Sequence, residues 1–425
     1  MMKDCAAKFH ARLTRACGGA LIVLTAACTT TPPSKPEPPA IPATAPQPKP
    51  PVVLTEPAPK PPAPPVASSA TDAVYRAVAW SELPGWRDDN LSEAWGALIA
   101  SCGPLGAREA WREACAAAKR VADPKGEAVR RYFEQHFTPY QIASAESGEE
   151  GLITGYYEPL LRGSRKPTER YRHPVYGVPD DLVVVDLSEV YPELKNMRLR
   201  GRLEGRRLVP YPDRAQIESG QAAPRGKEIA WVDDAIDLFF LQIQGSGRIV
   251  LDTGETLRVG YADQNGRPYR SIGRVLVDRG ELTLDQASMQ SIKAWARKRP
   301  AELNELLNSN ASYVFFRELP AGTNGPPGAL GVPLTARRSI AVDPRHVPLG
   351  APVFIATTWP NNPKPLNRLM LAQDTGGAIR GAVRADFFWG YGDAAGTEAG
   401  RMKQRLRMWV LLPVGHPVPG SAPGD

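Results

Sequence analysis

Apolar residues recur at helical spacing early in the chain and in short strand-like runs through most of the rest. Leu91, Trp95, Leu98 and Ile99 fall on one helical face behind Asp89-Asn90, a good helix-start pair, and Gly103-Pro104 predicts the stop. Trp111, Cys115 and Ala118 predict a second helix, and Asp123-Pro124 opens a third carrying Val129, Phe133 and Phe137. The aromatics of this helical preface read as core. Beyond it, runs at 182–185, 206–209, 247–251 and 256–259 are broken by Gly, Pro, Asp and Asn, a density that predicts a β-rich lobe. Residues 235–242 fit helix and strand periodicity equally. Thr283 and Gln286 form a capping box, predicting a helix with Met289, Ile292, Trp295 and Ala296 on one face. A short helix with Leu303, Leu306 and Leu307 follows. Strand character returns at 313–316 and recurs at 339–342, 353–356, 368–372 and 408–412. The fold class read from this pattern is mostly β, in two lobes, with a helical N-terminal preface.

The first residues have another character. Lys3, Lys8, Arg12 and Arg15 precede an apolar core at 20–24 and small residues at 25–27, ending in Cys28. That is a secretory signal peptide over 1–28, since the apolar run is far too short to span a bilayer. A Cys directly after small residues resembles a bacterial lipoprotein cleavage site, although Thr25 stands where Leu is commoner. Cys28 is then the lipidation site and the membrane anchor, and the chain is expected in the periplasm, tethered to the outer membrane. Residues 29–70 are dense in proline and predict a disordered tether favouring polyproline II. At about 3.1 Å per residue such a tether reaches on the order of 100 Å. Residues 414–425 are expected to form a disordered tail.

Charge narrows the partners. The 52 Lys and Arg against 45 Asp and Glu give a net +7, with both signs interspersed. No basic block is interleaved with aromatics, so nucleic acid is not implied. A mildly basic surface suits an anionic polymer outside the cytoplasm. Of the five cysteines, Cys5 and Cys17 leave with the signal. Cys102 and Cys115 are expected to pair in an oxidising compartment, worth roughly 3 kcal/mol in the chain-entropy model; two buried thiols are the alternative. The five histidines are scattered without metal-ligand spacing. No GxGxxG opens a helix after a strand, and no GxSxG elbow occurs. What remains is carboxyl chemistry, with no metal and no organic cofactor expected.

The stretch at 371–400 supplies it. An apolar run leads into Asp374, then Gly376-Gly377, and Asp386 follows twelve positions after Asp374, backed by Phe387, Phe388 and Trp389. Apolar surroundings raise a carboxyl's pKa and suit a general acid; a turn Asp beside a Gly-Gly hairpin is the plainer reading. Tyr156 and Tyr157 are adjacent, so on a strand one faces the core and the other a cleft. Gln242, Gln244 and Ser246 alternate outward beside glycines, a pattern suited to sugar hydroxyls and N-acetyl groups.

The motifs GYYEP (155–159), QIQGSG (242–247), YRSIG (269–273), SIAVDPRHVPLG (339–350), AQDTGGAIRG (372–381) and DFFWGYG (386–392) stand in order over 151–413. The chain here resembles the membrane-bound lytic murein transglycosylase A family. The resemblance implies a double-psi β-barrel interrupted by a second β-rich domain, with the substrate groove between them. On that basis residues 71–164 are the preface and first part of the barrel domain, 165–308 the insert, and 309–413 the three-aspartate barrel domain. The resemblance further implies cleavage of the β-1,4 bond between N-acetylmuramic acid and N-acetylglucosamine in peptidoglycan, leaving a 1,6-anhydro ring. It places the catalytic acid on Asp386, its partner on Asp374 and a structural aspartate on Asp343. Thr154, Tyr156, Tyr157, Gln244, Ser246, Gly376 and Gly377 are expected to line the groove, the tyrosine faces against sugar rings. A hydrolytic muramidase, with Glu158 or Asp393 activating water, and a non-catalytic peptidoglycan-binding lipoprotein are the alternatives.

Overall fold

A computed structural model describes residues 73–419, apart from 146, 195, 196, 198, 285, 322–324 and 361. The expected signal, Cys28 and the tether lie outside the described residues. In chain order the strands are β1 (Ala73–Ala77), β2 (Phe137–Ser144), β3 (Gly151–Glu158), β4 (Leu160–Ser164), β5 (His173–Tyr176) and β6 (Val183–Val184). Then come β7 (Arg200–Glu204), β8 (Arg207–Pro210), β9 (Glu228–Val232), β10 (Ser246–Leu251), β11 (Thr256–Gln264) and β12 (Val314–Glu318). The last five are β13 (Ser339–Val342), β14 (Pro352–Thr358), β15 (Pro365–Asp374), β16 (Arg384–Tyr391) and β17 (Lys403–Pro413). The helices are α1 (Ser92–Leu105), α2 (Glu109–Arg120), α3 (Gly126–His136), α4 (Arg214–Glu218) and α5 (Ala235–Gln244). They continue with α6 (Ile272–Asp278), α7 (Met289–Lys298), α8 (Leu303–Asn308) and α9 (Gly392–Arg401). The fold is mostly β with some helices, as the pattern predicts.

One sheet closes on itself. Strands β3, β17, β14, β15, β13 and β16 pair in that order, and β16 returns to β3, giving a ring of six; β2 and then β1 extend it from β17. A second sheet runs β12-β11-β10-β4-β9-β5, and a small third sheet runs β6-β7-β8. Strands β4 and β12, expected in the segments flanking the insert, pair within this second sheet. The ordered chain also continues past 413: Val414 donates its N–H to the carbonyl of His136, and the His416 ring packs on Trp111.

The preface is joined to the ring by one continuous apolar core containing Leu98, Trp111 and Phe133 with Phe354, Leu369 and Leu411. Cys102 of α1 and Cys115 of α2 are bonded, with Cα atoms 5.3 Å apart. Several helix boundaries differ from expectation. Helix α1 runs through Gly103 and Pro104 to Leu105, because so late a proline costs few helical bonds and the disulfide pins the same turn. Asp89 does not cap that helix: its carboxylate takes two hydrogen bonds of 2.8 Å from the guanidinium of buried Arg338. Helix α3 ends at His136, and Phe137 opens β2. Helix α7 is capped by Ser288, whose hydroxyl accepts from Ser291 N–H, so Thr283 and Gln286 form only a local turn upstream.

Residues 235–242 resolve as helix. Asp234 accepts from the N–H groups of Ile236 and Asp237 at its start, and Gly245 ends it at φ 79°, a conformation glycine adopts without strain. The helix overturns the outward alternation expected for Gln242, Gln244 and Ser246. A 3.6-residue period turns Gln242 inward, where its Oε1 accepts from Arg214, itself buried.

Arg338 binds Asp89, the carbonyls of Leu369 and Asn90, and Glu93. It thereby ties the preface to the ring with an ion pair removed from water. Arg338→Met strands the Asp89 carboxylate in the core and is expected to cost about 3–5 kcal/mol of unfolding free energy. Adding Asp89→Leu should return most of that loss. Urea denaturation of the single and double variants checks both, and a single-variant loss below about 1 kcal/mol would remove this pair from the fold's supports.

Candidate active site

Strand β13 lies between β15 and β16, and its Ala341 is in register with Asp374 on one side and Asp386 on the other. Two strand spacings of about 4.8 Å each separate the backbones of the two acids, with only a methyl group between them. Strand β3 pairs parallel with β16 on the far edge, placing Thr154 opposite Asp386 and Tyr156 opposite Phe388. The Thr154 hydroxyl donates to Asp386 Oδ1 at 2.6 Å. The Tyr156 hydroxyl donates to Asp374 Oδ2 at 3.0 Å, and the N–H groups of Ala329 and Thr375 both reach Asp374 Oδ1 at 2.9 Å.

These surroundings set the proton affinities. Burial pushes Asp386 up to about 6; Thr154 and the Arg384 charge oppose the rise and the Asp374 charge adds to it. Burial also raises Asp374, against its hydrogen bonds from Thr375, Ala329 and Tyr156. Tyr156 is held far from ionisation by burial and by both carboxylates. Asp386 is therefore the carboxyl poised to hold or release a proton near neutrality. Asp343 behaves oppositely. It is fully buried, yet Arg345 and the Gly381 N–H outweigh that burial and keep its pKa low. Its bonds, including Gly381 N to Oδ2 at 2.9 Å, tie the loop after Asp374 to the end of β13. Gly376 and Gly377 lie in that loop; a side chain at Gly376 would meet Ile379, whereas Gly377 is open to solvent.

The chain matches the family models described as the MltA specific insert domain, over residues 152–317, and the 3D domain, over residues 338–412. It is 34% identical over 279 residues to the membrane-bound lytic murein transglycosylase A of Escherichia coli strain K12, a match spanning 64% of this chain and 68% of that relative. The chain belongs to the membrane-bound lytic murein transglycosylase A family. A crystal structure of MltA from Neisseria gonorrhoeae is 42% identical, superposes with a TM-score of 0.73, and the match covers 84% of this chain and 96% of that one. The structure of E. coli MltA with bound chitohexaose is 26% identical with a TM-score of 0.60, over 76% of this chain and 91% of that one.

Other family-motif residues divide between two places. Tyr156 does not offer its ring to a cleft: the ring packs on Phe388 at 5.2 Å, and the hydroxyl goes to Asp374. Tyr157 points the other way, its backbone N–H held by Gln244 Oε1 at 3.0 Å and its hydroxyl on the Met289 sulfur. Tyr157 and Gln244 share the wall of a cavity of about 290 Å³ with Tyr269, Ser271 and Lys403. Ser246 lies outside that wall, paired with Gly260 at the start of β10. Gly155 is required just before the two tyrosines, because a Cβ there would come within 2.8 Å of the Ala399 backbone. Of the two carboxylates considered for water activation, Glu158 is buried against Arg248 and Arg258, and Asp393 is exposed on α9. Sequence reasoning passed over Arg384, which donates to Thr154 at 2.9 Å; its place two residues before Asp386 on one strand was the available signal.

The raised pKa makes a prediction about stability. Asp386 binds its proton more tightly folded than at an ordinary aspartate's 3.8. Its contribution is therefore fully present below that value and is lost as pH rises through about 6. Asp386→Asn should stabilise the protein at pH 7.5, by up to about 3 kcal/mol at 1.36 kcal/mol per unit, and leave it unchanged near pH 4. Denaturation midpoints at both pH values test this, and equal effects at the two would contradict the burial account.

Proposed function

We propose that this chain is a peptidoglycan lytic transglycosylase that cleaves the β-1,4 bond between N-acetylmuramic acid and N-acetylglucosamine with a single acid/base, Asp386. The observation that carries the reading is a carboxyl poised at about 6 beside a second, half-buried carboxyl, within a family named for this activity. Protonated Asp386 gives its proton to the glycosidic oxygen as the bond from muramic acid C1 breaks. The C6 hydroxyl of the same sugar then closes on C1, and its proton returns to the Asp386 carboxylate. The products are a 1,6-anhydro-muramic acid end and a free 4-hydroxyl. No water enters, so no second base is needed, in contrast to a hydrolase. Asp374 orients and tunes, its charge raising Asp386 while Tyr156 and two N–H groups occupy its oxygens. Chitohexaose bound to the E. coli relative supports a glycan strand as ligand. In this reading Thr154, Tyr157, Gln244, Ser246, Gly376 and Gly377 border the glycan, Asp343 is structural, and the six-stranded ring is a double-psi β-barrel interrupted by the insert. Cys28 carries the lipid, and the tether presents the enzyme to the wall from the outer membrane.

Mass spectrometry of products from purified peptidoglycan, wild type beside Asp386→Asn, is the direct test. Anhydro-muropeptides from wild type alone are expected. Reducing-end products would make the chain a hydrolase, and no products from wild type would leave a binding lipoprotein. Cys28→Ala should release the protein from the membrane fraction; unchanged membrane recovery would end the lipoprotein reading.

A further inference from the structure

Arg384, Thr154 and Asp386 form a row of hydrogen bonds. Arg384 opens β16 with its guanidinium anchored on its own and the neighbouring strand, donating to the carbonyls of Ala385 and Leu152. Its remaining arm donates to Thr154 Oγ1 at 2.9 Å. An arginine has no acceptor, so the direction of that bond is fixed. Thr154 therefore accepts from Arg384, and its one hydroxyl proton is left for Asp386 Oδ1, 2.6 Å away. A carboxyl oxygen already taking that proton is the poorer place for another. The free proton of Asp386 belongs on Oδ2.

We infer that Arg384 is a positioning residue which, through Thr154, fixes Asp386 Oδ1 as an acceptor and leaves Oδ2 as the oxygen that holds and delivers the proton. This rests on the acid role proposed above for Asp386. The charged or titratable groups around that carboxyl are few. Asp374 comes from β15 and Tyr156 from β3; β13 contributes only the methyl of Ala341. Strand β17 brings Lys403, exposed and in register with Thr154, and α9 carries Asp393, Glu398 and Arg401. Arg384 is the cation with a hydrogen bond into the Thr154–Asp386 pair. Removing it takes away both the fixed hydroxyl direction and a positive charge that favours the carboxylate.

The test uses the full chain in detergent. Arg384→Met should lower kcat for anhydro-product formation about tenfold to a hundredfold with KM little changed, as expected for lost alignment. It should also move the alkaline limb of the pH profile upward by about one unit. Thr154→Val should show the same kcat loss, the double variant should lose no more than Thr154→Val alone, and Thr154→Ser should recover most of it. An unmoved limb in Arg384→Met, or additive losses in the double variant, overturns the proposal. A second readout needs no catalysis: the pH at which the stabilisation by Asp386→Asn levels off, measured in wild-type and Arg384→Met backgrounds. That pH should rise in the Arg384→Met background, and an identical pH in both overturns the link. Absence of anhydro products from wild type would defeat the acid role while leaving this second comparison to decide the Arg384–Asp386 coupling.

Discussion

The parallel pairing of β3 with β16 is the constraint on which the site depends. It closes the six-stranded ring, and the same register sets Thr154 beside Asp386 and Tyr156 within reach of Asp374. A slip of one residue would turn both partners to the opposite face. Small, closely packed residues guard that register. Gly155 lets the Ala399 backbone and the Trp389 ring approach closely, and Ala341 keeps the space between the two acids small. The chemistry is thus written into backbone pairing, with the side chains following from it.

The helical preface takes part in this arrangement. Gln373, the residue before Asp374, is fully buried, and its amide donates to the Ala97 carbonyl and the Ser101 hydroxyl of α1. Arg338, just before β13, is gripped by Asp89 and Glu93 at the start of the same helix. Strand β15, which carries Asp374, and strand β13, which lies between the two acids, are therefore both braced from the preface. The Cys102–Cys115 bond stiffens the brace by joining α1 to α2.

Much of this was legible in the sequence, for reasons that differ by element. The strand runs and the two aspartates are local signals: apolar alternation, glycine punctuation and an acid among aromatics. The fate of residues 235–242 was not, because a short apolar run fits both periods until tertiary packing chooses. Asp89 misled as a cap because its partner Arg338 lies 249 positions away. Ring closure, the burial of Tyr156 and the reach of Arg384 all arise from contacts between distant segments, which no window of sequence contains. The chemical identity of the site was readable through ordered motifs; its geometry was not.

The separation along the chain has a consequence in time. Thr154 and Asp386 are 232 residues apart, and among the described residues the strand carrying the acid is followed only by α9 and β17. Pairings of such long range form late, after the entropy of closing a large loop has been met. A chain cut short before β16 has no acid beside Thr154 and no closed ring. Ring closure thus acts as a timer: the lytic capacity proposed for this fold arrives only once β16 has paired with β3.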